Sequence, residues 1–448
     1  MQVIESNLEF DLFLNRISTS NIIVIPILSD NFKHYVNNRI SFLYIHDLQY
    51  SEDYVIGFNH KECISLEIKR VMEIRTSGKI FVYNKKAFVN TFSKQVIDLD
   101  LVYWFYYNVP IPTEDCDTSV HDTFQRWYHK VPYLNDIIPV SKQIERCKNI
   151  VSKTKHVVEF FDDEALDIYN QLGVDNFAAI ERNGLYVDYN EFTKNLQANN
   201  IERNTAYTEY NMYTSTGRPS NRFGGVNYAA LNTKDGSRKA FISRFDYGML
   251  LELDFDAYHV RLIADMLDFK LPDENIHEYF GRFYFKKSNL TDEEYAQAKN
   301  ITFKQIYGGI DKEYLDIPFF QRTKELINEI WKQYQFKGYV ETPIYKRKFK
   351  RTWFKDMSAN TLFNYILQAT ETERNFRVIS DVMEVLQGKN TKLVLYTYDS
   401  LLFDYDISDG KQLILQLKQV MTDNNKYPVK IAAGKNYHSM IDMTEKVN

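Results

Sequence analysis

The sequence predicts an α+β fold spread over more than one domain, and three observations carry that prediction. Short runs rich in β-branched and aromatic residues crowd the first hundred positions. Helical periodicity then takes over across much of the middle of the chain. Two further apolar strand-like segments, each carrying an aspartate, stand on either side of a long helical stretch, so one small sheet would be interrupted by helices.

Length and composition bound the reading. At 448 residues the chain is too long for one small core. Apolar residues make up 44% of it, with 33 Tyr and 31 Phe, enough for folded cores throughout. No segment reaches the roughly eighteen consecutive apolar residues of a membrane helix, and the N-terminus lacks the basic-then-apolar layout of a signal peptide. Membrane attachment is therefore not expected. Cys63, Cys116 and Cys147 lie far apart without a CxxC or a His partner at zinc spacing. They fit free thiols in an intracellular protein. The formal charge of −5 neither marks nor excludes nucleic-acid binding, because a cleft can be basic on an acidic molecule.

In chain order, 22–28, 40–45, 54–58 and 80–83 read as strands, and a β-rich N-terminal domain ending near 150 is the simplest division. Residues 139–170 read as helical. The Gly-, Asn-, Ser- and Pro-rich stretch 217–232 reads as extended loop. A strand follows at 249–254, then helices to about 385, then strand material at 392–404 and 428–433.

Asp254 closes the first apolar strand, and Asp399 sits at a tight turn between two strands. If these strands share a sheet, the two carboxylates meet at one rim. Oxygen ligands on rigid strand ends suit Mg²⁺, which keeps waters for substrate phosphates, and two such ions can serve phosphoryl transfer. Either aspartate taken alone reads more readily as a helix cap or a solvated strand end, and the pair gains weight only from what lies between. Between them, Thr291-Asp-Glu-Glu294 is a capping box that starts a helix, and Gly308-Gly309 ends it. Lys299, Phe303 and Tyr307 recur every four residues on one face of that helix. A cation followed by two rings fits a nucleotide, with the lysine on phosphate and the rings offered for stacking. On spacing alone, a lysine snorkelling beside two core aromatics is the commoner arrangement.

These residues resemble motifs of the A-family DNA polymerases, the family of bacterial DNA polymerase I. Lys299–Gly308 resembles the fingers-helix motif, Asp254–Arg261 the first palm motif and Tyr398-Asp399-Ser400 the second. Ile180–Asp188, Thr216–Ser220 with Asn227 and Asn232, Gly338–Thr342, Asn364–Gln368 and Lys430–Asn436 resemble further segments in the family's order. The likeness covers about 180–448. It implies a right-hand palm and fingers with a reduced thumb, preceded by an α/β DnaQ-like, RNase H-like domain related to 3′–5′ exonucleases. The implied divisions are 1–152 for that domain, 153–176 for a helical connection and 177–448 for the polymerase.

The implied activity is template-directed addition of dNTPs to a primer 3′-hydroxyl with two Mg²⁺ ions, which Asp254 and Asp399 would ligate with help from the Phe255 carbonyl. Lys299, Phe303, Tyr307 and His259 would bind the nucleotide. Arg218, Asn227, Asn364, Gln368 and Tyr398 would contact primer–template DNA. Arg261 is expected to support the site structurally, and the basic run 346–351 to bind template phosphates or simply to face solvent. Four departures from the family stand out. His259 replaces the glutamate that packs under the sugar, with its imidazole expected to bond Tyr307. Tyr295 replaces an arginine, and Ser400 an acidic residue. Only a short segment between Asp188 and Thr214 occupies the thumb's place, so weak, distributive synthesis is expected unless a processivity or replisome partner protein compensates.

In the N-terminal domain, the segment 78–89 resembles an exonuclease motif but has Phe88 where a metal-binding aspartate belongs. No Asp-x-Glu marks the first strand, so this domain reads as a relic without proofreading activity. The compactness suggests a viral or mobile-element source and an intracellular, host-cytoplasmic location. Two other readings remain open at this point. One is a primase-like or RNA-synthesising polymerase on the same palm. The other is a catalytically silent DNA-binding replication subunit.

Overall fold

The computed structural model describes residues 1–30, 33–88, 96–112, 134–159, 163–196, 201–224, 226–272 and 274–447. Two compact units emerge: Met1–Arg182 with Asn199–Tyr207, and Asn183–Ala198 with Thr208–Asn448. Cys116 and Val89 lie outside the described residues.

The first unit is built on a mixed six-stranded sheet. Its strands are β1 (Gln2–Ile4), β2 (Ile22–Leu28), β3 (Ile40–Asp47), β4 (Glu52–Gly57), β5 (Ile80–Val82) and β6 (Val96–Asp98), in the order β1-β4-β3-β2-β5-β6. The four strands read from sequence are all present. Strands β2, β3 and β4 pair antiparallel, whereas β2, β5 and β6 run parallel. Six of the seven β2 residues are buried, as a central strand covered on both faces requires. The sequence reading missed α1 (Asn7–Ile17), which opens with a full capping box between Ser6 and Glu9. It also missed α2 (Leu99–Tyr107). Helix α3 (Val140–Val158) fills only part of the predicted helical stretch, and a new start capped by Asp163 follows it.

Polar groups are sealed inside this unit. Glu181, fully buried, pairs with Lys86 Nζ at 2.6 Å and accepts a hydrogen bond from the Tyr35 hydroxyl at 2.6 Å. Phe88 lies in the core, 2% exposed. Two acids that the sequence reading passed over lie nearby. Asp98 caps α2, and Asp100 accepts from Asn84 N at 2.9 Å. Burial first, then the neighbouring Asp98, pushes the Asp100 carboxyl up to about 8.

In the second unit, a five-stranded sheet carries the residues of interest. It contains β7 (Gly248–Phe255), and later β8 (Lys392–Tyr396), β9 (Ser400–Asp406), β10 (Val429–Gly434) and β11 (Ile441–Asp442), in the order β8-β9-β7-β10-β11. Between β7 and β8 come α4 (Tyr258–Met266), α5 (Asp292–Gly308), α6 (Ala359–Val385) and other helices, including Pro318–Lys337. Strand β7 is central, antiparallel to both β9 and β10. The expected α+β arrangement, with strands from distant segments meeting in one sheet, is what the fold contains.

Two expectations are corrected. The stretch 217–232 is not all loop, because Ser220–Phe223 and Val226–Asn227 pair as a short hairpin. Gly224, at φ 56°, adopts the left-handed conformation at its turn. Nor is the basic run 346–351 uniformly solvated. Arg347 is 1% exposed and donates from Nη1 to the Thr216 carbonyl at 3.0 Å. It braces the loop bearing Arg218, while Lys346, Lys348 and Arg351 remain outside. Between Asp188 and Thr214 the longest described helix is Tyr189–Leu196. Among the described residues no helix is long and apolar enough to cross a membrane.

Candidate active site

Antiparallel register brings the two aspartates together. On β7, Asp254 lies opposite Ser400 of β9 on one side and Lys430 of β10 on the other. The next residue, Phe255, donates its backbone N–H to the Asp399 carbonyl at 2.8 Å, tying the turn between β8 and β9 to the end of β7. Within that turn Tyr398 sits at φ 72°, a conformation costly for a residue with a side chain. Helix α6 holds it there, because Asn375 Nδ2 donates to the Tyr398 carbonyl at 2.7 Å.

Asp254, Asp399, Phe255, Lys299, Phe303, Tyr307, His259 and Arg218 line one recess of about 650 Å³, together with Tyr295, His277, Asp256, Glu371 and Lys430. Burial, then the negative charges of Asp399 and Glu252, pushes the Asp254 carboxyl up to about 7, although Lys430 and Lys299 pull the other way. Asp399 reaches solvent through the open side of the recess. The protein around it and then Glu371 still raise its pKa. Two acids whose ionisation is disfavoured by burial and by nearby negative charge form a site that a cation would stabilise. Among the described residues no trio of His, Cys, Asp or Glu could hold an ion by itself. Two carboxylates fit Mg²⁺, which takes few protein ligands and retains water and phosphate oxygens. Asp256 is already engaged by Lys430 at 2.7 Å and by Arg261 at 3.8 Å. Arg261 also donates from Nε to the Asp256 carbonyl at 2.9 Å, a supporting contact.

The helix stripe forms as its spacing predicts. Helix α5 begins at the Thr291–Glu294 capping box and ends before Gly309, whose φ is 102°. Lys299 Nζ stands 5.9 Å from the Phe303 ring centre, and the Phe303 and Tyr307 rings stack at 5.9 Å, 17° apart. His277 packs against Phe303 at 5.5 Å. Burial and then the Lys299 charge lower its imidazole to about 4, so it is neutral near pH 7. Tyr295 accepts a hydrogen bond from Asn275 Nδ2 at 3.2 Å and offers no cation.

A hydrogen-bonded chain runs behind the recess. His259 Nδ1 lies 2.6 Å from the Tyr307 hydroxyl, the bond expected from sequence. His259 Nε2 lies 3.1 Å from Glu371 Oε2. Glu371 also pairs with Arg218, whose guanidinium stacks 3.8 Å from the Tyr398 ring centre. Burial first raises the Tyr307 phenol, and Glu371 adds to it, to about 12.

Not every residue singled out from sequence joins the recess. Asn227 is exposed on the short hairpin, and Gln368 lies half-buried on α6. Asn364 donates from Nδ2 to the Tyr307 carbonyl at 2.8 Å, bracing the end of α5. Two acids went unnoticed in the sequence. Glu371 lies in the polar run Thr370–Asn375 of the helix, where nothing in the sequence sets it apart from Glu373 and its other neighbours. Glu252, two residues before Asp254 and hence on the same strand face, accepts from Ser400 Oγ at 3.1 Å and from the Tyr437 hydroxyl at 2.8 Å. It sets a third carboxylate beside Ser400. The alternation of a single strand was the available signal for Glu252.

No protein-family model matches the chain. Curated relatives include DNA polymerase I of two Streptococcus pneumoniae strains, R6 and TIGR4. Each is 23% identical over 237 residues, spanning 44% of this chain. The match spans about a quarter (26%) of those relatives' length. Among solved structures, the fold matches the POL domain of Pol1 from M. smegmatis, solved in complex with DNA primer-template and dNTP. The TM-score is 0.72 at 13% identity, covering 98% of this chain and 100% of that one. The chain is thus similar to DNA polymerase I over part of its length and has the fold of a polymerase domain.

Proposed function

We propose that the chain is a template-directed DNA polymerase that extends a primer 3′-hydroxyl with dNTPs by two-metal phosphoryl transfer. The observation carrying this reading is the convergence of Asp254 and Asp399, from strands distant in sequence, on the recess lined by the Lys299–Phe303–Tyr307 stripe. Bound divalent ions would lower the pKa of the attacking hydroxyl and stabilise the leaving oxygen. Asp254 and Asp399 are the residues to hold them.

The chain's own residues do the rest. Lys299 meets the triphosphate with a compact positive charge. Phe303 and Tyr307 present ring faces to the incoming nucleotide and the template base. His259, bonded to Tyr307, would exclude a sugar 2′-hydroxyl. Arg218 and Tyr398, stacked on each other, meet the primer–template end. The relative's DNA primer-template and dNTP support this assignment of partners.

Primer extension with wild type, Asp254→Ala and Asp399→Ala tests the reading. Loss of either ligand should reduce turnover by about three orders of magnitude. Extension by both variants at wild-type rates would sink it. His259 in place of a glutamate favours a second reading, RNA synthesis on the same site. Comparison of dNTP and rNTP incorporation decides between them.

For the first unit we propose a structural or partner-binding role without proofreading. Phe88 fills the core where an exonuclease motif would need an acid, and Asp98 and Asp100 are committed to backbone N–H groups. The short Asp188–Thr214 segment supports weak, distributive synthesis unless a partner protein adds processivity.

A further inference from the structure

Glu371 lies inside the 27-residue helix α6, where every nearby backbone N–H is already used, and none of its surface is exposed. A carboxylate there is costly unless side chains satisfy it. Both oxygens are engaged. Arg218 donates from Nη2 to Oε1 at 3.1 Å, and its Nε stands 2.9 Å from Oε2 as an ion-pair contact. His259 Nε2 faces Oε2 at 3.1 Å. Burial opposes ionisation, but His259 and Arg218 outweigh it and hold the Glu371 carboxyl below the usual range. The group is therefore an ionised, acceptor-only partner.

An acceptor at Nε2 has a definite consequence for the imidazole. Nε2 must carry a proton, and in the neutral ring Nδ1 is then the lone pair. In that form the Tyr307 hydroxyl, 2.6 Å away, is the donor to the lone pair. Tyr307 is held from α6 twice, through this relay and through Asn364 Nδ2 on its carbonyl. If Glu371 served only to neutralise Arg218, contact with His259 would be incidental. The two roles make different predictions.

We propose that Glu371 is a positioning residue for nucleotide selection: by fixing the Nε2–H form of His259 it holds the Tyr307 hydroxyl, and with it the sugar-facing side of the nucleotide site, in one orientation. This rests on the polymerase reading above. The carboxylate missing from position 259 is thus supplied indirectly, from another helix.

The test combines Glu371→Gln, His259→Gln and the double variant, each checked for wild-type-like melting. An amide at 371 presents a donor as well as an acceptor, so it no longer dictates the tautomer. Single-nucleotide incorporation is measured with dNTP and with rNTP. Glu371→Gln should lower the dNTP-to-rNTP ratio of kcat/KM about tenfold, chiefly through KM for dNTP. In the His259→Gln background the same change should add less than about twofold, because neighbours in one relay are not additive. An unchanged ratio, or an equal loss in both backgrounds, overturns the proposal and assigns Glu371 to Arg218 alone. A second readout needs no turnover. In ¹⁵N-histidine NMR, the resonance absent from His259→Gln should report protonated Nε2 in wild type and shift in Glu371→Gln. A wild type that extends no primer refutes the polymerase reading, while the NMR arm still judges the relay: an Nε2 signal unmoved by Glu371→Gln overturns it.

Discussion

Asn375 offers a stringent test of how the helical part of the fold positions the acid at the β8–β9 turn. It is 2% exposed and makes three side-chain hydrogen bonds. Nδ2 donates to the Tyr398 carbonyl at 2.7 Å and to the Tyr396 hydroxyl at 3.1 Å, and Oδ1 accepts from the Tyr258 hydroxyl at 2.6 Å. In Asn375→Ala, Tyr258 keeps a contact with Arg374 Nη1 at 3.1 Å, so two partners bear most of the loss. At roughly 1–3 kcal/mol for each buried group deprived of its partner, the variant should lose about 3 kcal/mol of stability. The second consequence is catalytic. Tyr398 at φ 72° is held against its preference, and release of its carbonyl lets the turn relax and moves Asp399. A displacement of about 1 Å at a reacting centre costs about 100-fold. Urea unfolding gives the first number, and single-turnover primer extension at saturating dNTP gives the second. A stable, folded Asn375→Ala protein with kcat within about threefold of wild type would refute the idea that α6 fixes the turn.

Other predictions follow from single observations. The His277 imidazole, lowered to about 4, titrates near 6.5 once unfolded, so the native state binds fewer protons between those values. Its contribution is complete above pH 7 and falls as the solution is acidified. Stability should drop by up to about 2 kcal/mol between pH 7.5 and 5, and His277→Gln should flatten that part of the urea-stability profile. In the first unit, Lys86→Met removes the cation paired with the buried Glu181 carboxylate, which keeps the Tyr35 hydroxyl, and should cost about 3 kcal/mol, whereas replacing both ion-pair partners by apolar residues should cost less. Equilibrium denaturation of the single and double variants measures the difference. Gly309→Ala introduces a Cβ at φ 102° and against the Asn360 amide, and should destabilise by about 1–3 kcal/mol. Its melting temperature would be compared with that of Gly338→Ala, where a Cβ meets open space.

Much of the architecture follows from local pattern. Strand β2 appears within the run it was read from because seven consecutive residues are β-branched, aliphatic or proline, with charge only outside them. Helix α5 starts and stops where the capping box and the paired glycines say, because both signals act through backbone groups a few residues away. Lys299, Phe303 and Tyr307 share a face for the same reason: a 3.6-residue period is a local property. Asp254 and Asp399 were legible as strand-end acids, and the resemblance joined them.

What the sequence by itself determined, then, is whatever depends on neighbours within a turn or a strand: the elements, their caps, and which side chains point the same way. Only tertiary structure decided the rest. Nothing local tells that Glu371, a mid-helix acid, faces His259 from a helix more than a hundred positions away, or that Arg347 in a basic run turns inward to brace the loop before Arg218. The reason is physical: a buried charge is tolerated only where a partner from elsewhere in the chain meets it. That partner's identity is set by how the helices and sheet pack, not by any period in the sequence around it.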